Sequence, residues 1–262
     1  MTVTDHGTWW SWSTRGACAV FTGRHGGVSS APWDSLDIAL HTGDQQEAVL
    51  ENRRRAASLL DVSPEQVCAV TQVHGADVWV DLVPDAAHAA ASVSWSTGAA
   101  STIEADALVT TSADRVLAVA VADCMPIAIV WGDAVAAIHA GWRSLDAGVI
   151  EAALAVLQRQ AGSRIATSGG EAVIGPCLGA CCMEVGEEVA ARFSPASVIR
   201  RAEAPRPFLD ARADAHRRLT VAGIVVDHID VCTRCDARLF SHRGDGAPTG
   251  RQALLVQRST IL

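Results

Sequence analysis

Ala137-Ile138-His139-Ala140-Gly141-Trp142-Arg143 is the stretch on which the reading of the fold turns. An apolar strand runs straight into a histidine, a small-residue turn follows, and a helix opens with Arg143 in its first turn. A strand passing directly into a helix is the unit of an α/β protein. It leaves His139 at a strand end beside a helix N-terminus, a place from which side chains point into clefts. A core histidine bonded to backbone would account for the same residue.

The same alternation extends on both sides. Leu117–Val121 and Ile127–Trp131 are short apolar runs flanking Asp123-Cys124-Met125-Pro126, and Val135–Ile138 is a third; all three predict buried strands. Cys68–Val80 is β-rich on both sides of a break at Gln72-Val73-His74-Gly75. Apolar residues at three- and four-residue spacing predict helices over Glu47–Leu60, Asp146–Gln160, Val185–Phe193 and Ala211–Ala222. Pro84–Thr102, rich in Ala and Ser, and the proline-containing Ser194–Pro207 predict surface loops. Neither has the composition of a linker and no internal repeat is visible, so residues 1–262 are expected to form one α/β domain.

Composition narrows the chemistry. The chain has 262 residues, a formal charge of −8, 49% apolar and 19% charged residues, which places it among globular proteins. The acidic balance argues against gripping nucleic acid or an anionic membrane through bulk charge. Every one of the 21 basic residues is Arg. Without Lys there is no Schiff base and no lysine P-loop. Met1–Trp12 does not read as an export signal and no stretch is long and apolar enough to span a bilayer. The expectation is therefore a cytoplasmic protein whose 8 Cys are thiols or metal ligands. No protein partner can be inferred.

His74, Cys124 and His139 each fall at a predicted strand end. Two imidazoles and a thiolate leave a tetrahedral metal with one open position, as catalytic zinc sites require. Their separations are too long for a local knuckle and suit a site assembled by the fold. A competing set exists in Cys177, Cys181 and Cys182 with the C-x-x-C of Cys232-Thr233-Arg234-Cys235. That set would suit a four-thiolate zinc or a redox pair, and the weaker context of the C-x-x-C favours free thiols. Anion binding has its own signals. Thr22–Ser29 is a glycine-rich loop carrying Arg24, Asn52-Arg53-Arg54-Arg55 places guanidiniums on one helix, and Arg143 adjoins His139. Arg24, Arg53 and Arg143 are the candidates for holding phosphate, while Arg54 and Arg55 read as a solvated face.

Taken in order, these motifs resemble the YfiH-like or laccase-domain family, whose members are described as polyphenol oxidases and as purine nucleoside phosphorylases. The resemblance runs through Arg24–Ser29 with Ser35-Leu36-Asp37, Asn52-Arg53, Gln72–Gly75, Glu104-Ala105-Asp106-Ala107, Asp123–Pro126, His139–Arg143, Ile174–Gly186, Phe240–Arg243 and Thr249-Gly250-Arg251. It implies a layered α/β/β/α sandwich with mixed sheets, distantly similar to the catalytic domain of cytotoxic necrotizing factors. It also implies one zinc per chain on His74, Cys124 and His139. The implied reaction is phosphorolysis of purine nucleosides (adenosine, inosine, guanosine, methylthioadenosine) by inorganic phosphate, with adenosine deamination as a second activity. Asp106 and Gln72 are then candidates for the base or sugar, with Asp106 and Arg143 taken as catalytic, and Asp37 for substrate or phosphate. Position 37 is Asp where the family usually has Asn. His242 and Gly244 replace the usual Tyr and Arg, and Met183 an aromatic.

A multicopper oxidase needs many paired histidines, and the nine here contain no H-x-H pair. A two-His, one-Cys site binds copper as readily as zinc, because divalent affinity peaks at copper. A single-copper polyphenol oxidase is accordingly the alternative enzyme, and a zinc-stabilised nucleoside-binding module the alternative without catalysis.

Overall fold

The computed structural model describes residues 1–81, 95–161 and 169–259. Two six-stranded mixed sheets dominate. The first has the order β1-β2-β3-β14-β7-β4, with β1 Thr2–Asp5, β2 Trp9–Ser13, β3 Ala17–Thr22, β4 Val67–Cys68, β7 Val116–Val121 and β14 Gln252–Arg258. The second has the order β13-β10-β8-β9-β6-β5, with β5 Val78–Asp81, β6 Ala107–Thr110, β8 Met125–Trp131, β9 Ala134–Ala140, β10 Glu171–Ile174 and β13 Val225–His228. Only the pairs β4–β7, β5–β6 and β10–β13 are parallel in these sheets. A short antiparallel pair, β11 Val198–Ile199 with β12 Phe208–Leu209, lies within and just beyond the span expected to be the Ser194–Pro207 loop.

The layers follow from the two-residue period of the strands. On β8, Ile127 and Ile129 pack in the cluster containing the helices Val149–Gln160 and Ala211–Val221. Ala128 and Val130 pack between the sheets with Trp10, Trp12, Phe21, Leu117 and Leu254. On β14, Leu254 and Val256 face that shared core, and Ala253 and Leu255 face the opposite side. There they meet Ala56 and Ala57 of the helix Gln46–Ser58, together with Ile38 and Trp95. The result is helix, sheet, sheet, helix. Central strands buried on both faces read as continuous apolar runs, and for that reason β7, β8 and β9 are visible in the sequence.

Differences from expectation have local causes. The helix expected over Asp146–Gln160 is split into Trp142–Asp146 and Val149–Gln160, because Gly148 takes φ 86°, a conformation that glycine alone adopts without cost. Val185–Phe193 shrinks to the helix Glu187–Ala190. Cys68–Val80 supplies only the end of β4 and most of β5, and between them runs a loop bridged at Thr71 to Glu104. Of the expected loop Pro84–Thr102, residues 84–94 lie outside the described residues, and Trp95 is buried. Among the described residues no helix is long and apolar enough to cross a membrane.

Candidate active site

Asp106 organises the site although it never reaches the surface. It lies just before β6, fully buried, and its carboxylate accepts the backbone N–H groups of Val73, His74 and Gly75 at 3.3, 3.0 and 2.6 Å. Those bonds hold the loop that carries His74, whose own φ is 61°. Asp106 Oδ1 also lies 2.7 Å from Nδ1 of His139 on β9. The engaged Nδ1 leaves Nε2 of His139 as its free ligand atom.

Cys124 enters from the turn between β7 and β8. The residue before it, Asp123, has φ 88°, and its carboxylate accepts Thr233 Oγ1, Ser241 Oγ and the Arg243 backbone N–H at 2.6, 2.7 and 2.6 Å. Cys124 Sγ is 3.8 Å from His74 Nε2, and the ligand atoms of His74, Cys124 and His139 all lie within 4.8 Å of one another. The two imidazoles meet edge to face, with centroids 4.7 Å apart. Gly141 passes so close that a Cβ there would sit 3.1 Å from both Cys124 Sγ and His74 Cδ2.

Without a metal the charge of the site is a thiolate beside a protonated imidazole, and a bound cation would displace that proton. Burial opposes ionisation of the Cys124 thiol, yet His139 and His74 overcome it and hold the group at about 6. Burial likewise opposes charge on His139, but Asp106 and the Cys124 sulfur raise it to about 9. Asp106 stays below the usual carboxylate range against its own desolvation, through His139 and the backbone N–H groups. One soft sulfur and two nitrogens at these spacings match a tetrahedral ion with metal–ligand bonds of about 2.0–2.3 Å, and His74 is on the exposed side. The site can hold a metal.

The three candidate ligands open onto a cleft of about 860 Å³. Arg53, Arg143, Arg243 and Arg251 line it, with Trp95, Leu178 and Met183 among its apolar walls. Of the residues singled out in the sequence, Arg53, Gln72 and Arg143 are therefore brought together with the metal ligands. Arg143 is exposed, stacked on Trp142 at 4.4 Å, and has no carboxylate partner among the described residues. Arg53 donates to the carbonyls of Ile38 and Trp95 at 2.8 and 3.1 Å, and burial lowers it to about 10, still charged at neutral pH.

Three others are placed elsewhere. Arg24 is outside the cleft, over the Phe240 ring and paired with Asp34 and Asp245. Asp37 is fully buried, accepting Thr42 Oγ1 and the N–H groups of Ala39 and Arg251. Asp106 lies behind the ligands, beyond contact with the cleft. Gln72 does line the cleft, but its amide exchanges two hydrogen bonds with the backbone of Ala120 at 2.9 and 2.8 Å. The glycine-rich loop is packed rather than open: Asn52 accepts the Val28 N–H and donates to Ser29, Ser35 and Asp37. A Cβ on Gly27 would strike Ser35 O at 2.0 Å.

Arg243 and Arg251 went unassigned in the sequence. Arg251 stands immediately before the buried run Gln252–Val256, the same strand-terminus signal that marks His139. Arg243 is brought in by the Asp123 bonds, for which adjacent sequence carries no sign.

A family model described as multi-copper polyphenol oxidoreductase laccase matches residues 18–259. The chain belongs to the laccase-domain, or YfiH, family. Among its family relatives, the purine nucleoside phosphorylase YlmD of Geobacillus stearothermophilus is 35% identical over 258 residues, covering 93% of this chain and 90% of the relative. A Streptomyces coelicolor protein, also named a purine nucleoside phosphorylase, is 38% identical over 250 residues, covering 92% and 95%. The crystal structure of Geobacillus YlmD superposes with a TM-score of 0.83 at 31% identity, covering 97% of both chains. The laccase-domain fold expected from the motifs is thus present. The multicopper wording attached to the family has no counterpart in paired histidines here. Among the described residues, the sets able to hold a metal are His74, Cys124 and His139, and a separate group of four cysteines.

Proposed function

We propose that residues 1–262 act as one laccase-domain unit that phosphorolyses purine nucleosides at a zinc held by His74, Cys124 and His139. The observation carrying this reading is a three-ligand site, open on one side, facing a cleft lined by four arginines. The names of the relatives support the substrate class. A phosphate oxygen forms a bond to the anomeric carbon as the bond to the purine nitrogen breaks; that electron pair leaves with the purine, which takes up a proton.

Arg143 is suited to grip phosphate, since an unpaired guanidinium offers two parallel donors to two oxygens. Arg53 holds the wall and adds positive potential, its Nε and one terminal nitrogen being already bonded to carbonyls. Gln72 and Asp106 serve as positioning residues, the first fixing its loop to β7 and the second orienting His139. Asp37 and Arg24 support the structure around the cleft. When bound, the metal supplies Lewis-acid polarisation of an oxygen, a chemistry that would also suit hydrolytic deamination of adenosine. The same reading puts the protein in the cytoplasm, where cysteines are kept as thiols or metal ligands.

The test is incubation of adenosine, inosine, guanosine and methylthioadenosine with and without phosphate, followed by chromatography. Free base and ribose 1-phosphate, or its methylthio analogue, should form only when phosphate is present, and inosine from adenosine would report deamination. Oxidation of a phenol at one copper per chain, with nucleosides untouched, would replace this reading with the oxidase. Nucleoside binding without turnover would leave a binding module.

A further inference from the structure

A second set of ligating side chains lies apart from the cleft reaction. Cys181 and Cys182 occupy the turn after Leu178, and Cys232 and Cys235 the Cys232-Thr233-Arg234-Cys235 turn that follows β13. All four sulfurs lie within 4.8 Å of one another. Cys182 and Cys235 are 3.4 Å apart, and Cys181 and Cys235 are 3.8 Å apart. Four thiolates around zinc, at bonds of about 2.3 Å, make a tetrahedron with edges of about 3.8 Å. A disulfide joins sulfurs in pairs at about 2.05 Å and gives no reason for four to converge on one point.

The backbone around them is arranged as it is around a bound thiolate. Gly179 N–H donates to Cys232 Sγ at 3.3 Å. The N–H groups of Cys235 and Asp236 both return to the Cys232 carbonyl at 3.1 Å, the tight turn that brings the sulfurs of a C-x-x-C together. Isolated bridge pairing of Cys177 with Cys232 sets the two turns side by side.

We propose that Cys181, Cys182, Cys232 and Cys235 bind a second metal ion, a structural zinc. Four protein ligands leave no open position, so the ion has no place for substrate. Binding releases protons from the thiols and changes no oxidation state. The ion would join the segment bearing Leu178 and Met183 to the one bearing His242 and Arg243, all four of which line the cleft. It stands whether or not the nucleoside reading does, because it depends on none of the cleft chemistry.

The experiment is elemental analysis of the full-length protein, expressed without added metal and purified under reducing conditions. The expected zinc content is about two equivalents in the parent, about one in Cys235→Ser, about one in His74→Ala, and none in the variant carrying both. Growth of the His74→Ala strain with cobalt in place of zinc supplies a second readout that needs no cysteine variant to fold. Intense sulfur-to-cobalt charge-transfer bands with tetrahedral d–d bands are expected, and no cobalt uptake by that variant would overturn the site. So would a parent holding about one equivalent that His74→Ala loses. A Cys232–Cys235 disulfide in protein alkylated during lysis would overturn it equally.

Discussion

His139 Nδ1 lies 2.7 Å from Asp106 Oδ1, and the same oxygen accepts the backbone N–H of His74 at 3.0 Å. One buried carboxylate therefore sets the tautomer of one candidate ligand and the position of another. Neighbours that orient ligands in this way are typically worth about 10- to 100-fold in metal affinity. Asp106→Asn keeps an acceptor for His139 but turns an NH2 toward backbone N–H groups that need an acceptor. Its zinc affinity, measured by competition with a chromophoric chelator, should fall by about that factor. Unchanged affinity in the folded variant would show that Asp106 orients nothing.

Gly141→Ala probes the same centre from the other side. The new methyl group would sit 3.1 Å from both Cys124 Sγ and His74 Cδ2, closer than carbon normally packs. The backbone at φ −73° accepts alanine, so the fold should survive. Weaker metal binding, with a thermal transition of the metal-free protein close to the parent's, is the expected result of the chelator assay and calorimetry.

Arg143→Lys keeps the charge but loses the planar two-point contact. Under the proposed phosphorolysis, kcat/KM for phosphate should drop by about 10- to 100-fold, the span of one charge-assisted hydrogen bond. Zinc content should not change, since Arg143 is not a ligand. Equal kinetics for the two proteins would remove Arg143 from phosphate binding.

Asp37 offers a pH test. Burial pushes its carboxyl above the usual range, against the bonds from Thr42, Ala39 and Arg251. Between the unfolded and the raised folded value the native chain binds more protons, so stability falls as pH rises through that window. Asn at this position would accept the two backbone N–H groups on its oxygen and donate to Thr42 Oγ1, whose proton can turn to the Ala39 carbonyl at 2.6 Å. Asp37→Asn should therefore abolish that fall and be at least as stable as the parent near neutral pH. Urea midpoints between about pH 4 and about pH 7 would check this.

How much of this was legible in the sequence depended on burial. The strands β7, β8 and β9 are apolar on both faces and announce themselves, and with them come the strand-end positions of Cys124 and His139. The Trp9–Ser13 strand is interrupted by Ser11 and carries a weaker signal, although Trp10 and Trp12 fill the core between the sheets, whereas Ala17–Phe21 is an unbroken apolar run of the same kind as β8 and was equally legible. The three residues able to hold a metal could be read because each is a chemically distinctive residue at a break. The surroundings of Asp37, Gln72 and Arg24 could not, because what decides them is whether a polar atom is already taken by a neighbour distant in sequence. Gln72 and Ala120 are joined by two hydrogen bonds that no local pattern predicts.

The left-handed backbone at Asp123 costs an ordinary residue about 1 kcal/mol or more, and here its carboxylate is held from outside by Thr233, Ser241 and Arg243. The aim of the Cys124 sulfur is thus secured by a part of the chain made more than a hundred residues later. A nascent chain would already contain all three ligands and still lack the latch that points one of them. Under the proposed metal reading, firm loading of the His74–Cys124–His139 centre would wait until residues 233–243 have docked, and metal retention would report on the completeness of the tertiary structure.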